Sequence, residues 1–199
     1  MAISGLEEDG SGILRGLAEL QAEMAAGRRL PPVEKWNPTH CGSIDMRIAR
    51  DGTWFYMGTP IKRPAMVRLF STILRRESDD SYVLVTPAER MTITVEDVPF
   101  VAVSVERSGD GPDQKLTFLT NVGDMVVAGP NHPLRVEEAE SGEPRPYLHV
   151  RNRLDARLSR NVFYELVELA HEESVAGAAR LGVRSGGVFF PLGTVDAAR

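Results

Sequence analysis

The chain has 199 residues, 42% hydrophobic and 26% charged, with a formal net charge of −5. This is the make-up of a soluble globular protein with a sizeable core, arranged as one ordinary domain or two small ones, and its acidic balance argues against an extended nucleic-acid surface. The single cysteine, Cys41, excludes an intramolecular disulfide. No apolar run approaches the ~18 residues of a membrane-spanning helix, so no membrane span is expected. The opening MAISGLEEDGSG lacks the basic and apolar regions of a secretory signal, which makes the cytoplasm the expected location.

Ile13, Leu14, Leu17, Leu20 and Met24 recur on one helical face, with Ser11 placed to cap the start and Gly27 to end it. LPPVEKWNPTHCGS reads as an irregular crossing in which Trp36 plugs a core or covers a groove. His40 and Cys41 are adjacent, so their side chains diverge and offer no metal-chelating spacing. IDMRIA alternates as a half-buried strand, and Asp51-Gly52 predicts a type I′ hairpin turn into a second strand, TWFYM. Gly58-Thr59-Pro60 ends that strand. Pro64 fits the first position of a helix that buries Met66, Leu69, Phe70, Ile73 and Leu74 and is closed by Arg75 and Arg76. SYVLVTP and MTITV follow as strands.

A domain boundary is placed between residues 96 and 97. It separates an N-terminal α+β domain with a leading helix (1–96) from a C-terminal β-rich domain with one helix (97–199). In the second domain PFVAVSVER, KLTFLT, DMVVA, LRVEE and YLHVR, separated by turn signals, predict an antiparallel meander. SRNVFYELVELAHEE then reads as a helix capped by Ser159, and GVFFPLG as a last short strand.

The two helix openings share an electrostatic oddity. A helix N-terminus carries partial positive charge, yet Lys62 and Arg63 stand before one helix, and Arg151, Arg153, Arg157 and Arg160 precede or open the other. Setting Arg63 on Arg160 places Met66 on Phe163, Leu69 on Leu166 and Phe70 on Val167. Each helix then lies between two strands. The expected fold class is α+β, with a duplicated strand–helix–strand core.

DGTWFYMGTPIKR, LVTPAERMTITVEDVPF, FLTNVGD, NHPLRV, PYLHVRNRLDARLSRNVFYELV and RSGGVFFPLG together resemble the bacterial domain of unknown function family 1285, over about residues 31–193. The resemblance implies a duplicated α+β protein whose C-terminal half is superficially similar to the pleckstrin-homology fold. It further implies a nucleotide-like ligand in the cleft between the domains and a role in signal transduction. No activity is established for the family, so it lends no catalytic residues.

No phosphate-binding glycine loop, dinucleotide fingerprint, serine elbow or zinc-protease motif is present, and no cofactor or catalytic residue is expected. The four histidines, His40, His132, His149 and His171, share no ligand spacing. Anion binding remains. Lys62, Arg63, Arg151, Arg157 and Arg160 offer forks and charge for phosphate. Trp54, Tyr56, Tyr147 and Tyr164 offer rings for stacking. Thr120, Asn121 and His132 sit in turns that would touch a ligand. The expected partner is an anionic, nucleotide-like small molecule. The alternatives are a protein partner paired to an exposed strand edge of the C-terminal domain and an enzyme of unrecognised type.

Overall fold

A computed structural model of the chain describes residues 30–175 and 177–194. The helix expected over residues 11–27 lies outside the described residues. The chain divides into two units, Met1–Asp97 and Val98–Arg199, each described here by itself. No helix among the described residues is long and apolar enough to cross a membrane.

In the first unit, strands β1 (His40–Ile48), β2 (Trp54–Tyr56) and β3 (Thr59–Pro60) precede helix α1 (Pro64–Thr72), which is followed by β4 (Leu74–Arg76), β5 (Tyr82–Val85) and β6 (Glu89–Val95). The strands form one sheet in the order β3-β2-β1-β6-β5-β4. Every pairing is antiparallel except the central one, where β1 and β6 run parallel. The β1–β2 turn is not type I′, because Gly52 alone takes a positive φ there, at 83°. The Ala49 N–H bonds the Thr53 carbonyl at 2.9 Å and Asp51 Oδ1 accepts from the Thr53 N–H at 2.9 Å, closing a three-residue loop.

Helix α1 begins as expected at Pro64 but ends at Thr72, short of Arg75 and Arg76. The Ile73 carbonyl accepts the Val85 N–H at 2.9 Å, and Leu74–Arg76 pairs with Tyr82–Leu84. Leu74 and Arg75 are both buried. On a strand they point to opposite faces of the sheet, which a helix, turning them only 100° apart, does not allow. One face packs under α1, where Trp54, 1% exposed, stacks on Phe70 with ring centroids 6.2 Å apart. Over the other face a 3-10 turn, Val33–Lys35, sets Val33 and Trp36 against Val83 and Val85. Arg75, 5% exposed, ties this cover down by donating from Nη1 to the Val33 and Trp36 carbonyls, each at 2.7 Å.

The second unit comprises β7 (Phe100–Ser108), β8 (Lys115–Thr120), β9 (Met125–Val127), β10 (Leu134–Glu138), β11 (Pro144–Arg151), β12 (Leu154–Leu158), α2 (Arg160–Glu168), β13 (His171–Val175), β14 (Ala178–Ser185) and β15 (Val188–Thr194). The expected meander is two antiparallel meanders joined by the parallel pair β7 and β12, in the order β10-β11-β12-β7-β8-β9. A separate antiparallel sheet, β13-β14-β15, follows α2. Ser185, fully buried, links it to the first by donating to the Ala128 carbonyl at 2.7 Å and accepting the Leu116 N–H at 2.9 Å.

The protein is thus mostly β with two described helices, and its two six-stranded sheets repeat one topology. Registers align them residue by residue. Leu74 pairs with Leu84 and Leu84 with Met91, as Leu134 pairs with Leu148 and Leu148 with Ala156. Arg75, Val83 and Thr92 therefore match Arg135, Tyr147 and Arg157, while Val85 and Arg90 match His149 and Asp155. The overlay of Arg63 on Arg160 does not survive this. Helix α1 joins the third strand of its sheet to the fourth, whereas α2 follows the sixth strand, so the sheets are duplicated and the helices are not equivalent.

Candidate functional site

The cations of the first unit sit where the sequence places them. Arg63 is the N-cap residue of α1 with an extended backbone, Pro64 occupies the first turn, and no acidic residue follows there. Lys62 and Arg63 are exposed, and among the described residues neither pairs with a carboxylate. Helix α2 likewise carries no acid in its first turn. Ser159 caps it by accepting the Val162 N–H at 3.4 Å. Arg160, 75% exposed, reaches Glu143 at 3.6 Å. Tyr164 is exposed on the same helix.

The other arginines expected near this helix, Arg151, Arg153 and Arg157, are engaged. Arg151 pairs with Asp124 and lies over the Phe100 ring, 4.8 Å from its centroid. Thr120 and Asn121 are used by their own turn. The Thr120 hydroxyl accepts the Asp124 N–H at 2.9 Å, and Asn121 Oδ1 accepts the Val101 N–H at 3.0 Å. Trp54 is interior, and Tyr147, 3% exposed, is roofed by the Arg135 guanidinium 4.6 Å from its ring centroid. Neither presents an open ring face. Tyr56 is half-buried on β2.

One polar cluster does form, on β10–β12. The row Arg135–Tyr147–Arg157 runs across the three strands, and His149 and Asp155 face each other in the next row. His149 Nδ1 lies 3.0 Å from Asp155 Oδ1. Asp155 Oδ2 lies 3.0 Å from Arg135 Nη1, and Arg135 Nε donates to Glu137 at 2.8 Å. Burial opposes the charge on Arg135, but its hydrogen bond to Glu137 and the Asp155 carboxylate outweigh that and hold its pKa above the ordinary value. His132 stacks on His149 with centroids 6.2 Å apart, and its Nδ1 is 3.2 Å from the His149 carbonyl oxygen. Of the residues expected at a site, Tyr147, Arg157 and His132 come together here. Arg135, His149 and Asp155 were not foreseen. The signal for His149 and Asp155 was the short link Arg151–Arg153, which folds YLHV back on LDARL and sets the two opposite each other.

Two models of one family match adjoining stretches. The N-terminal domain of DUF1285, a domain of unknown function, matches residues 31–98, and the C-terminal domain of the same family matches residues 99–192. The chain belongs to the DUF1285 family. A crystal structure of a DUF1285 family protein from Silicibacter pomeroyi DSS-3 is 51% identical, with a TM-score of 0.77, and the match covers 88% of this chain and 95% of that one. A DUF1285 family protein from Shewanella baltica OS155 is 28% identical over 62% of this chain and 90% of its own, with a TM-score of 0.49. No curated protein matches. DUF1285 therefore fixes the kinship and leaves the chemistry to be argued from side chains.

Proposed function

We propose that this DUF1285 protein binds a small anionic ligand of nucleotide-like chemistry and serves as a sensing component in signal transduction. The observation that carries the proposal is the opening of α1. Two exposed cations stand at an acid-free helix N-terminus with no carboxylate partner among the described residues. Each is unfavourable there by a few tenths to about 1 kcal/mol, and a bound phosphate reverses the sign of that term. Charge-assisted hydrogen bonds of this kind contribute about 1.5–3 kcal/mol each, or roughly ten- to a hundredfold in affinity.

Isothermal titration with a panel of nucleoside mono-, di- and triphosphates tests it. Binding by the wild type, weakened about tenfold or more in Arg63→Ala and Lys62→Ala, is the expected result. Absence of binding across the panel by a folded wild type sinks the reading.

A second reading, a pleckstrin-like interaction module, draws on a separate feature. Leu119, Met125 and Val127 are exposed on one face of β8 and β9, with Val103 exposed beside them on β7, and β9 is an edge strand. Concentration-dependent self-association in sedimentation, abolished by Met125→Lys with nucleotide binding unchanged, would favour it.

A further inference from the structure

The pair His149–Asp155 is arranged differently from an ordinary cross-strand ion pair. Asp155, 8% exposed, is held at both oxygens, Oδ1 by His149 and Oδ2 by Arg135. A carboxylate engaged with a guanidinium only accepts, so the proton between Asp155 and His149 must reside on Nδ1. That leaves Nε2 of the neutral imidazole with its lone pair free. The His132 ring is fixed in the same way, since its Nδ1 faces the His149 carbonyl oxygen, which also only accepts. Two imidazoles thus lie stacked on one sheet face with both Nε2 atoms outside these bonds. The His149 side chain is 27% exposed, so part of the ring is within reach of solvent.

The duplicated sheet supplies the contrast. The matching positions in the first unit are Val85, under the apolar cover of Val33 and Trp36, and Arg90, whose side chain is 40% exposed. Arg90 turns to Glu77 at 3.7 Å, with no hydrogen-bonded cross-strand partner at Val85. The fold therefore has no need of a histidine–aspartate pair at this place.

We propose that His149 and Asp155 form a proton-transfer dyad acting on phosphate esters, with His149 the general base and Asp155 its positioning residue. Arg157, which already has a partner of its own, lies two residues from Asp155 on β12, hence on the same face and about 6.6 Å along the strand, and its five-donor fork can add a contact to the ester's negative charge. In the reaction a water hydrogen-bonded to Nε2 yields its proton to that nitrogen while its oxygen bonds to phosphorus. The P–O bond to the alcohol breaks, and the imidazolium returns the proton to the departing oxygen or to solvent. The proposal concerns the second unit and is independent of anion binding at α1.

The test uses the full chain with p-nitrophenyl phosphate and bis(p-nitrophenyl) phosphate as probes. Wild-type protein is expected to release p-nitrophenol from one of them. His149→Ala should lower the rate at least about a hundredfold, with partial rescue by added imidazole. Asp155→Asn should lower kcat by roughly 10²–10⁴ by turning the imidazole to the wrong tautomer, a range taken from a known triad. Nitrogen-15 NMR of the wild type reads that tautomer directly and does not depend on the variants folding. The expected state has hydrogen on Nδ1 and a bare Nε2. Release no faster than that of His149→Ala on both probes, or a wild-type His149 protonated at Nε2 in its neutral form, overturns the dyad.

Discussion

The same sheet is built twice, and the two copies treat one face in opposite ways. In the first unit Leu74-Arg75 opens β4 and in the second Leu134-Arg135 opens β10, at matching registers. Arg75 is roofed by the Val33–Lys35 turn and spends its donors on two backbone carbonyls and on Glu77, 2.6 Å from Nη2. Arg135 is exposed and spends its donors on Glu137 and Asp155. Around Arg75 lie Val83 and Val85; around Arg135 lie Tyr147 and His149. A shared backbone thus holds a structural arginine in one copy and a polar surface in the other. The second copy is the one whose chemistry the fold leaves unexplained.

The largest expected effect breaks that contrast at its source. Arg75→Ala strands two carbonyls in a largely buried place, takes the nearest cation from Glu77, and should cost about 3–5 kcal/mol. Arg135→Ala removes a partly exposed partner and should cost about 1 kcal/mol or less. Urea denaturation of both variants measures the difference, and equal losses would refute the assignment of one arginine to structure and the other to surface. Next in size is Ser185→Ala, which acts on a link the first unit lacks. It leaves the buried Leu116 N–H without an acceptor and should cost about 1–3 kcal/mol, read in the same titration. A loss within error would mean that water replaces the hydroxyl.

Local chemistry was legible in the sequence and long-range pairing was not. Pro64 and Ser159 mark their helix starts because a missing donor and a capping oxygen act within one turn. Trp36 covers a core as expected, since an aromatic in a proline-rich crossing has few other places to bury its ring. The parallel joins β1–β6 and β7–β12 leave no local mark, because each unites strands separated by a whole sheet. The end of α1 was misread because Ile73 and Leu74 extend the apolar helical face while also fitting a buried strand. Only the partner strand Tyr82–Val85 decides between them. Laying one helix on the other aligned two real patterns at positions the topology does not equate. The His149–Asp155 pair was hidden because six residues of sequence gave no spacing rule until the hairpin closed.

The smallest expected effect sharpens the comparison at the residue after the sixth strand. In both copies its N–H bonds the first strand of the sheet, Glu96 to the Ile48 carbonyl at 3.0 Å and Ser159 to the Ala102 carbonyl at 3.0 Å. From equivalent places the side chains go different ways. Ser159 caps α2, while Glu96 clamps the β1–β2 turn, accepting the Arg50 N–H at 3.0 Å and the Arg47 guanidinium. The Arg50 N–H foremost, with Arg47 after it, holds the Glu96 carboxyl below its ordinary 4.5. A depressed carboxylate pKa adds stability above the unfolded value, and that share is lost as pH falls through the lower, folded value. The melting temperature of Glu96→Gln should therefore lie slightly below wild type at pH 7, with the gap closing as the pH is taken below about 4.5. Ser159→Ala loses a neutral cap, about 1 kcal/mol, and its deficit should stay level over the same range. A Glu96→Gln gap that persists unchanged to pH 3 would show that the clamp works through shape and not charge. The two copies would then differ at this residue only in what the side chain touches.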